Sequence, residues 1–190
     1  MKTTLLAVAV LAFTASSQAT VTLGDPKATT TQSGTGNTQT TNTRESETKQ
    51  TQGGTGNKQS VTSTKSNASQ VQNGTGNTQS INASGSKAAQ SQNGAGNRQS
   101  MDLTNSTAVQ AQTGTGNAQS VDAASGSNTT QIQSGVGNKQ SVSSTGSRAL
   151  QTQSGVGNLQ TINARGAGAM QNQAGINNAQ SINVGGASDK

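Results

Sequence analysis

Between residues 66 and 83 the chain alternates with a period of two, and it does so twice. Ser66, Ala68, Gln70 and Gln72 share one phase of a first stretch, and Asn77, Gln79, Ile81 and Ala83 share one phase of a second. Asn73-Gly74-Thr75-Gly76 separates the two stretches, and Ser84-Gly85 follows them. Alternation over seven residues, punctuated by glycine, predicts strand, arc, strand, turn. A helix is disfavoured by the period and by the abundance of β-branched residues and glycine.

The same unit recurs in eight copies across residues 28–190. Its second glutamine falls at Gln32, Gln52, Gln72, Gln92, Gln112, Gln133, Gln153 and Gln173, a step of 20 residues with a single step of 21. The extra residue is placed around Ala124-Ser125-Gly126, where a turn absorbs it. Self-similarity at this period is the signature of a solenoid.

Aligned copies define columns. Two residues before the second glutamine stand Gln50, Gln70, Gln90, Gln110, Gln131, Gln151 and Gln171, with Thr30 the exception in the first copy. Six residues before it stand Ser46, Ser66, Ser86, Ser106, Ser127 and Ser147, then Ala167, and four before it only Ala or Thr. The second strand opens on Asn37, Asn57, Asn77, Asn97, Asn117, Asn138, Asn158 and Asn178. Two residues on come Gln39, Gln59, Gln79, Gln99, Gln119, Gln140, Gln160 and Gln180. Four residues after each Asn is an apolar column, Val61, Ile81, Met101, Val121, Val142, Ile162 and Ile182, with Thr41 in the first copy.

The other phase is variable. It mixes Lys49, Ser69, Ala89, Val109, Leu150 and Met170 in one column and Lys58, Thr78, Arg98, Lys139 and Leu159 in another. Charges in such a mixture face water, so the uniform columns face inward. The expected fold is all-β, a two-walled β-solenoid of about eight strand-arc-strand rungs, amyloid-forming. A hairpin-like arc is expected to set Gln72 against Asn77, Gln70 against Gln79 and Ala68 against Ile81.

Amides in a core need a reason, because a buried unpaired donor or acceptor costs about 1–3 kcal/mol. In a stack of rungs about 4.8 Å apart, each amide can bond its identical neighbour above and below. The candidate ladder comprises the glutamines and asparagines named above from Gln50 to Gln180. A slip by one residue breaks it, so repetition also fixes register. The arc glycines Gly34, Gly54, Gly74, Gly94, Gly114, Gly135, Gly155 and Gly175 are the same in every copy. The glycine two residues on changes once, to Asn177, which tolerates a left-handed backbone; a positive φ is expected there. A phosphate-cradling loop is excluded by the missing Lys-Ser/Thr ending and following helix.

Composition then narrows the class. The hydrophobic fraction is 26%, and the one aromatic residue is Phe13, so repetition has to replace a large apolar core. Lys2, an apolar run from Leu5 to Phe13 and Ser17-Gln18-Ala19 read as a secretory signal over residues 1–19, followed by a short segment 20–27. No run reaches transmembrane length. There is no cysteine, so an exported chain has no disulfide staple. Without Lys2, eleven basic and six acidic residues remain. Their scatter suits a soluble fibre with charged edges. With neither a basic run nor interleaved aromatics, no specific nucleic-acid binding is expected.

Catalysis, a metal and a cofactor are not expected. There is no His, Cys, Tyr or Trp, and Asp25, Glu45, Glu47, Asp102, Asp122 and Asp189 form no repeated pair. Glu45 and Glu47 are expected in a turn. Calcium-binding repeats would need a recurrent Asp where Asn stands here.

Ser66-x5-Gln72-x-Gly74-x2-Asn77 resembles the curlin repeat of bacterial curli subunits, Ser-x5-Gln-x-Gly-x2-Asn-x-Ala-x3-Gln, and the resemblance covers about residues 28–190. Gln79 stands where the family has Ala, and Ala83 where it has its last Gln, so one inward amide has moved four residues along the same face. The resemblance implies a homopolymeric extracellular fibre on the cell surface, serving biofilm matrix and adhesion. It implies as partners an outer-membrane secretion channel, a periplasmic chaperone and a minor nucleator subunit. Eight well-formed copies favour the major subunit. The rung ends are the expected functional site, an open C-terminal edge templating the next subunit, while Pro26 at the Ser position makes the first copy degenerate. Two rivals remain. The hydroxyl column Thr40, Ser60, Ser80, Ser100, Ser120, Ser141, Thr161 and Ser181 suits a monomeric ice- or surface-binding solenoid, and the polar composition suits a disordered secreted chain.

Overall fold

The computed structural model describes residues 8–9, 18–24 and 27–185. The signal segment expected over residues 1–19 lies mostly outside the described residues, and Pro26 lies wholly outside them. Each repeat forms one rung of two strands. Ahead of the rungs come β1 (Val8–Ala9) and β2 (Gln18–Gly24). Rung 1 is β3 (Lys27–Gln32) with β4 (Thr38–Arg44), rung 2 is β5 (Glu47–Thr55) with β6 (Lys58–Thr64), and rung 3 is β7 (Asn67–Thr75) with β8 (Thr78–Ser84). Rung 4 is β9 (Lys87–Ala95) with β10 (Arg98–Thr104), rung 5 is β11 (Thr107–Thr115) with β12 (Ala118–Ala124), and rung 6 is β13 (Asn128–Val136) with β14 (Lys139–Thr145). Rung 7 is β15 (Arg148–Val156) with β16 (Leu159–Arg165), and rung 8 is β17 (Ala169–Ile176) with β18 (Ala179–Val184).

The odd strands make one sheet, in the order β1-β3-β5-β7-β9-β11-β13-β15-β17, and the even strands the other, from β2 to β18. Every neighbouring pair is parallel, as a coil that always turns the same way requires. The fold is an all-β, two-walled β-solenoid of about eight turns, with no helix among the described residues. Register follows the repeat, with Gln70 beside Gln90 and Gln72 beside Gln92. The extra residue sits in the corner between β12 and β13, where Ser125 and Gly126 have φ of 58° and 80°, and beyond it Gln112 is still beside Gln133. The corner absorbs the insertion, so the register of both sheets crosses it unbroken.

The wall facing is shifted relative to the sequence expectation. Thr48 and Ser63 hydroxyls meet at 3.2 Å across rung 2, and Thr129 and Ser144 at 3.0 Å across rung 6. These bonds place Ala68 opposite Ala83, Gln70 opposite Ile81 and Gln72 opposite Gln79, not the pairs Ala68–Ile81, Gln70–Gln79 and Gln72–Asn77. The cause is the length of the first strand, which runs on through Gly74 to Thr75 and moves the centre of the reversal by one residue. The core therefore has three zones. Amides fill the arc end, amide meets aliphatic in the middle, and small residues fill the corner end, with Leu103 the largest buried side chain there among the described residues.

Candidate functional site

The uniform columns point inward. From Gln50 to Gln173 every ladder amide is buried, none more than 4% exposed. Asn178 and Gln180, expected in the same buried ladder, are exposed. Asn178 lies just before β18 and Gln180 within it, on the last strand of its sheet among the described residues, and each has a neighbour on one side only.

The glutamines form three continuous ladders. One runs from Gln32 through Gln52 and Gln72 to Gln173, one from Gln39 through Gln59 and Gln79 to Gln180, and one from Gln50 through Gln70 to Gln171. In each, Nε2 donates to Oε1 of the following rung at 2.7–3.3 Å. In the Gln39 and Gln50 ladders the second Nε2 hydrogen is used as well at most rungs: Gln59 donates to Thr51 O at 3.1 Å, and Gln70 to Ser60 O at 3.2 Å. A side chain that would be costly alone is satisfied here by copies of itself.

The asparagines behave differently from the expected side-chain ladder. Asn57 Nδ2 donates to two main-chain carbonyls, Gly53 O at 2.7 Å and Gly74 O at 2.8 Å, and Asn57 Oδ1 accepts the main-chain N–H of Asn77 at 2.9 Å. The column repeats this pattern from Asn37 to Asn158, with variations in distance. The short Asn side chain thus pins the arc to itself and to the next arc, where a longer Gln would overreach. At the opposite corner Ser66 does a similar job, its Oγ donating to Thr64 O at 2.8 Å and accepting the N–H of Ser86 at 3.1 Å.

The two glycines of the arc are needed for different reasons. A Cβ on Gly74 would collide with the carbonyl oxygen of Gly94, and its φ is 120°. Gly76 has open space where a Cβ would go and a φ of 63°, so only its left-handed backbone selects glycine. Asn177, at the equivalent place, has a φ of 54°, the positive value expected from the sequence.

Two exceptions in the columns turn out to be one feature. Thr30 interrupts the Gln column, leaving Gln50 Oε1 without the donor that a glutamine would supply. Thr41, the exception in the apolar column, donates its hydroxyl to Gln50 Oε1. Likewise Thr48 pairs with Ser63 and Thr129 with Ser144, hydroxyl answering hydroxyl across the core. The signal was in the sequence as coincident departures in two columns of one copy, but it is readable only once the facing pairs are known.

Outside, Glu45 lies at a corner with φ of 50° and pairs with Lys65 at 3.7 Å, while Glu47, expected in the same turn, opens β5. An apolar outward column on the last three rungs, Val136, Val156 and Ile176 in register, escaped the sequence reading because it lies in the variable position between the arc glycines.

At the ends the ladders stop. Gln32 Oε1 and Gln39 Oε1 are buried without partners at rung 1, and Gln171 Nε2 and Gln173 Nε2 at rung 8. Among the described residues no helix is long and apolar enough to cross a membrane. No protein-family model, curated protein or solved structure matches the chain.

Proposed function

We propose that this protein is a structural subunit of an extracellular functional amyloid fibre of the curli kind, polymerising end to end for matrix formation and adhesion. The observation that carries this reading is the interrupted ladder. A core satisfied by repetition has unsatisfied amides wherever repetition stops, and four such atoms lie at the two ends of the stack. Among the described residues nothing covers the outer edges of β17 and β18, so each presents main-chain donors and acceptors to a further parallel strand. Addition of another rung extends both sheets and gives Gln173, Gln32 and Gln39 ladder partners, while Gln171 comes to Thr30. The resemblance of Ser66-x5-Gln72-x-Gly74-x2-Asn77 to the curlin repeat supports the same assignment and, with it, export through an outer-membrane channel with a chaperone and a nucleator.

The test is incubation of the purified chain near neutral pH, followed by sedimentation, thioflavin fluorescence and fibre diffraction. Fibres with a meridional spacing of about 4.8 Å are expected. A chain that stays monomeric for days would overturn the assignment.

A monomeric surface-binding solenoid has one observation in its favour. Register brings Ser80, Ser100 and Ser120 into one outward column on the even-strand sheet, part of a row of hydroxyls along it. The neighbouring column carries exposed Lys58, Arg98 and Lys139, which break the flat hydroxyl array such binding needs. Thermal hysteresis without fibre formation would reverse the preference.

A further inference from the structure

The glutamine ladders have a direction. Every Nε2 donates toward the higher-numbered rung, and every Oε1 accepts from the lower one. The sense is pinned in the Gln39–Gln180 and Gln50–Gln171 ladders, where the second Nε2 hydrogen meets a main-chain carbonyl, as for Gln59 and Gln70, because an inverted amide would set oxygen against oxygen; the Gln32–Gln173 ladder runs in the same sense without such a bond. The orphaned atoms at the two ends are therefore of opposite kinds. Rung 1 holds acceptors, Gln32 Oε1 and Gln39 Oε1, and rung 8 holds donors, Gln171 Nε2 and Gln173 Nε2. Like ends brought together leave donor against donor or acceptor against acceptor. Unlike ends continue two of the three ladders, Gln173 to Gln32 and Gln180 to Gln39 of a second copy, while Gln171 Nε2 comes to Thr30.

That junction has a further requirement. If β17 of one copy lies on β3 of the next, both sheets stay in phase only when β18 lies on β4. On β3, the described part of β1 pairs only with Thr29 and Thr30. The same edge of β4 is taken by β2, paired in parallel from Gln18 beside Thr38 to Gly24 beside Arg44. The cover is incomplete, since Gln39 Oε1 has no donor and removal of the signal expected over residues 1–19 leaves only Thr20–Gly24 of the strand. Replacing what is left of β2 by β18 exchanges five paired residues, Thr20 to Gly24, for the six that β18 pairs within its own copy. Main-chain bonding is nearly conserved, and the restored amide bonds set the direction of the exchange.

We propose that the rung 1 end is a docking surface for the rung 8 end of a second copy, giving a head-to-tail polar fibre, and that Thr20–Gly24, the part of β2 beyond the expected signal, is a displaceable cover on that surface. This rests on the self-assembly reading above, and the experiment separates the two.

The chain has no cysteine, so cross-links can be placed at will. Thr31 and Asn172 lie in one outward column, at rung 1 and rung 8. Head to tail, they become neighbours about 4.8 Å apart, within disulfide range. Oxidised fibres of the full chain carrying Thr31→Cys and Asn172→Cys are expected to give a ladder of covalent multimers on denaturing gels, and each single variant none. Covalent dimers from either single variant, or no ladder from fibres that do form, would overturn the polarity. Absence of fibres by sedimentation and thioflavin would overturn the self-assembly reading and this proposal with it. For the cover, Thr20→Cys with Thr40→Cys locks β2 to β4 through exposed positions in register. The oxidised chain is expected not to elongate seeds and to recover when reduced. Elongation at the reduced rate would refute the cover.

Discussion

Gln110 shows what a single ladder side chain contributes. It accepts from Gln90 at 2.9 Å and donates to Gln131 at 2.7 Å, entirely buried. Gln110→Ala leaves a donor on one neighbour and an acceptor on the other, each worth about 1–3 kcal/mol when orphaned. Urea unfolding is expected to show a loss in that range or above it, whereas the exposed Asn172→Ala should stay within about 0.5 kcal/mol of the parent. The paired exceptions of rung 1 make a sharper case. Thr41→Val alone orphans Gln50 Oε1 and should destabilise, but Thr30→Gln supplies the missing ladder donor and frees position 41 to be apolar, as in the other copies. The double variant Thr30→Gln/Thr41→Val is expected to recover most of the loss, with a coupling of about 0.5–3 kcal/mol in a double-mutant cycle. At the arc, Gly94→Ala meets the Gly114 carbonyl and should unfold the chain or lower its urea midpoint strongly. Gly96→Asn should be nearly silent, because the last copy already carries an asparagine, Asn177, at the equivalent place with a similar φ. Which residues face inward was legible because constancy along a column marks burial. The partnership of Thr41 with Gln50 was not, since each looks like a lone exception until the walls are set against each other.

Strand, arc and corner respond differently to a change of length. A residue added within a strand sends every following side chain to the other face until the next corner, burying the variable column and exposing the amides. A residue added at a corner changes only the link, as the step of 21 residues through Ser125 and Gly126 shows, with register restored at Asn128. Insertion of an alanine after Gln90 is therefore expected to abolish cooperative unfolding or lower its midpoint severely. The same insertion after Gly85 should leave the circular dichroism spectrum and urea midpoint close to those of the parent. The alternation and the glycines gave strand and arc positions directly, because period and turn chemistry are local. The facing pairs came out one step off because the reversal centre depends on how far pairing with the neighbouring rung carries β7 past Gln72, and that is a property of the stack. The asparagines were legible as inward and constant. Their bonding to main chain was not, because it depends on the distance from Cβ to the arc carbonyls.

For the whole molecule, stability and assembly follow from one arrangement. Parallel strands related by one coil bring identical residues together, so an amide core becomes satisfiable over its length and deficient at its ends. Composition alone points toward disorder; order along the chain reverses that reading. The exposure of Asn178 and Gln180 was not legible from their columns, because their places in the pattern are unchanged; Gln171 and Gln173, on the last strand of the other sheet, stay buried. The direct measurement is hydrogen exchange of the glutamine side-chain amides, followed by NMR on folded or assembled protein with labelled glutamine. The account predicts strong protection for the inner Nε2 groups from Gln50 to Gln153. Exchange of those groups at the rate of free glutamine would contradict it.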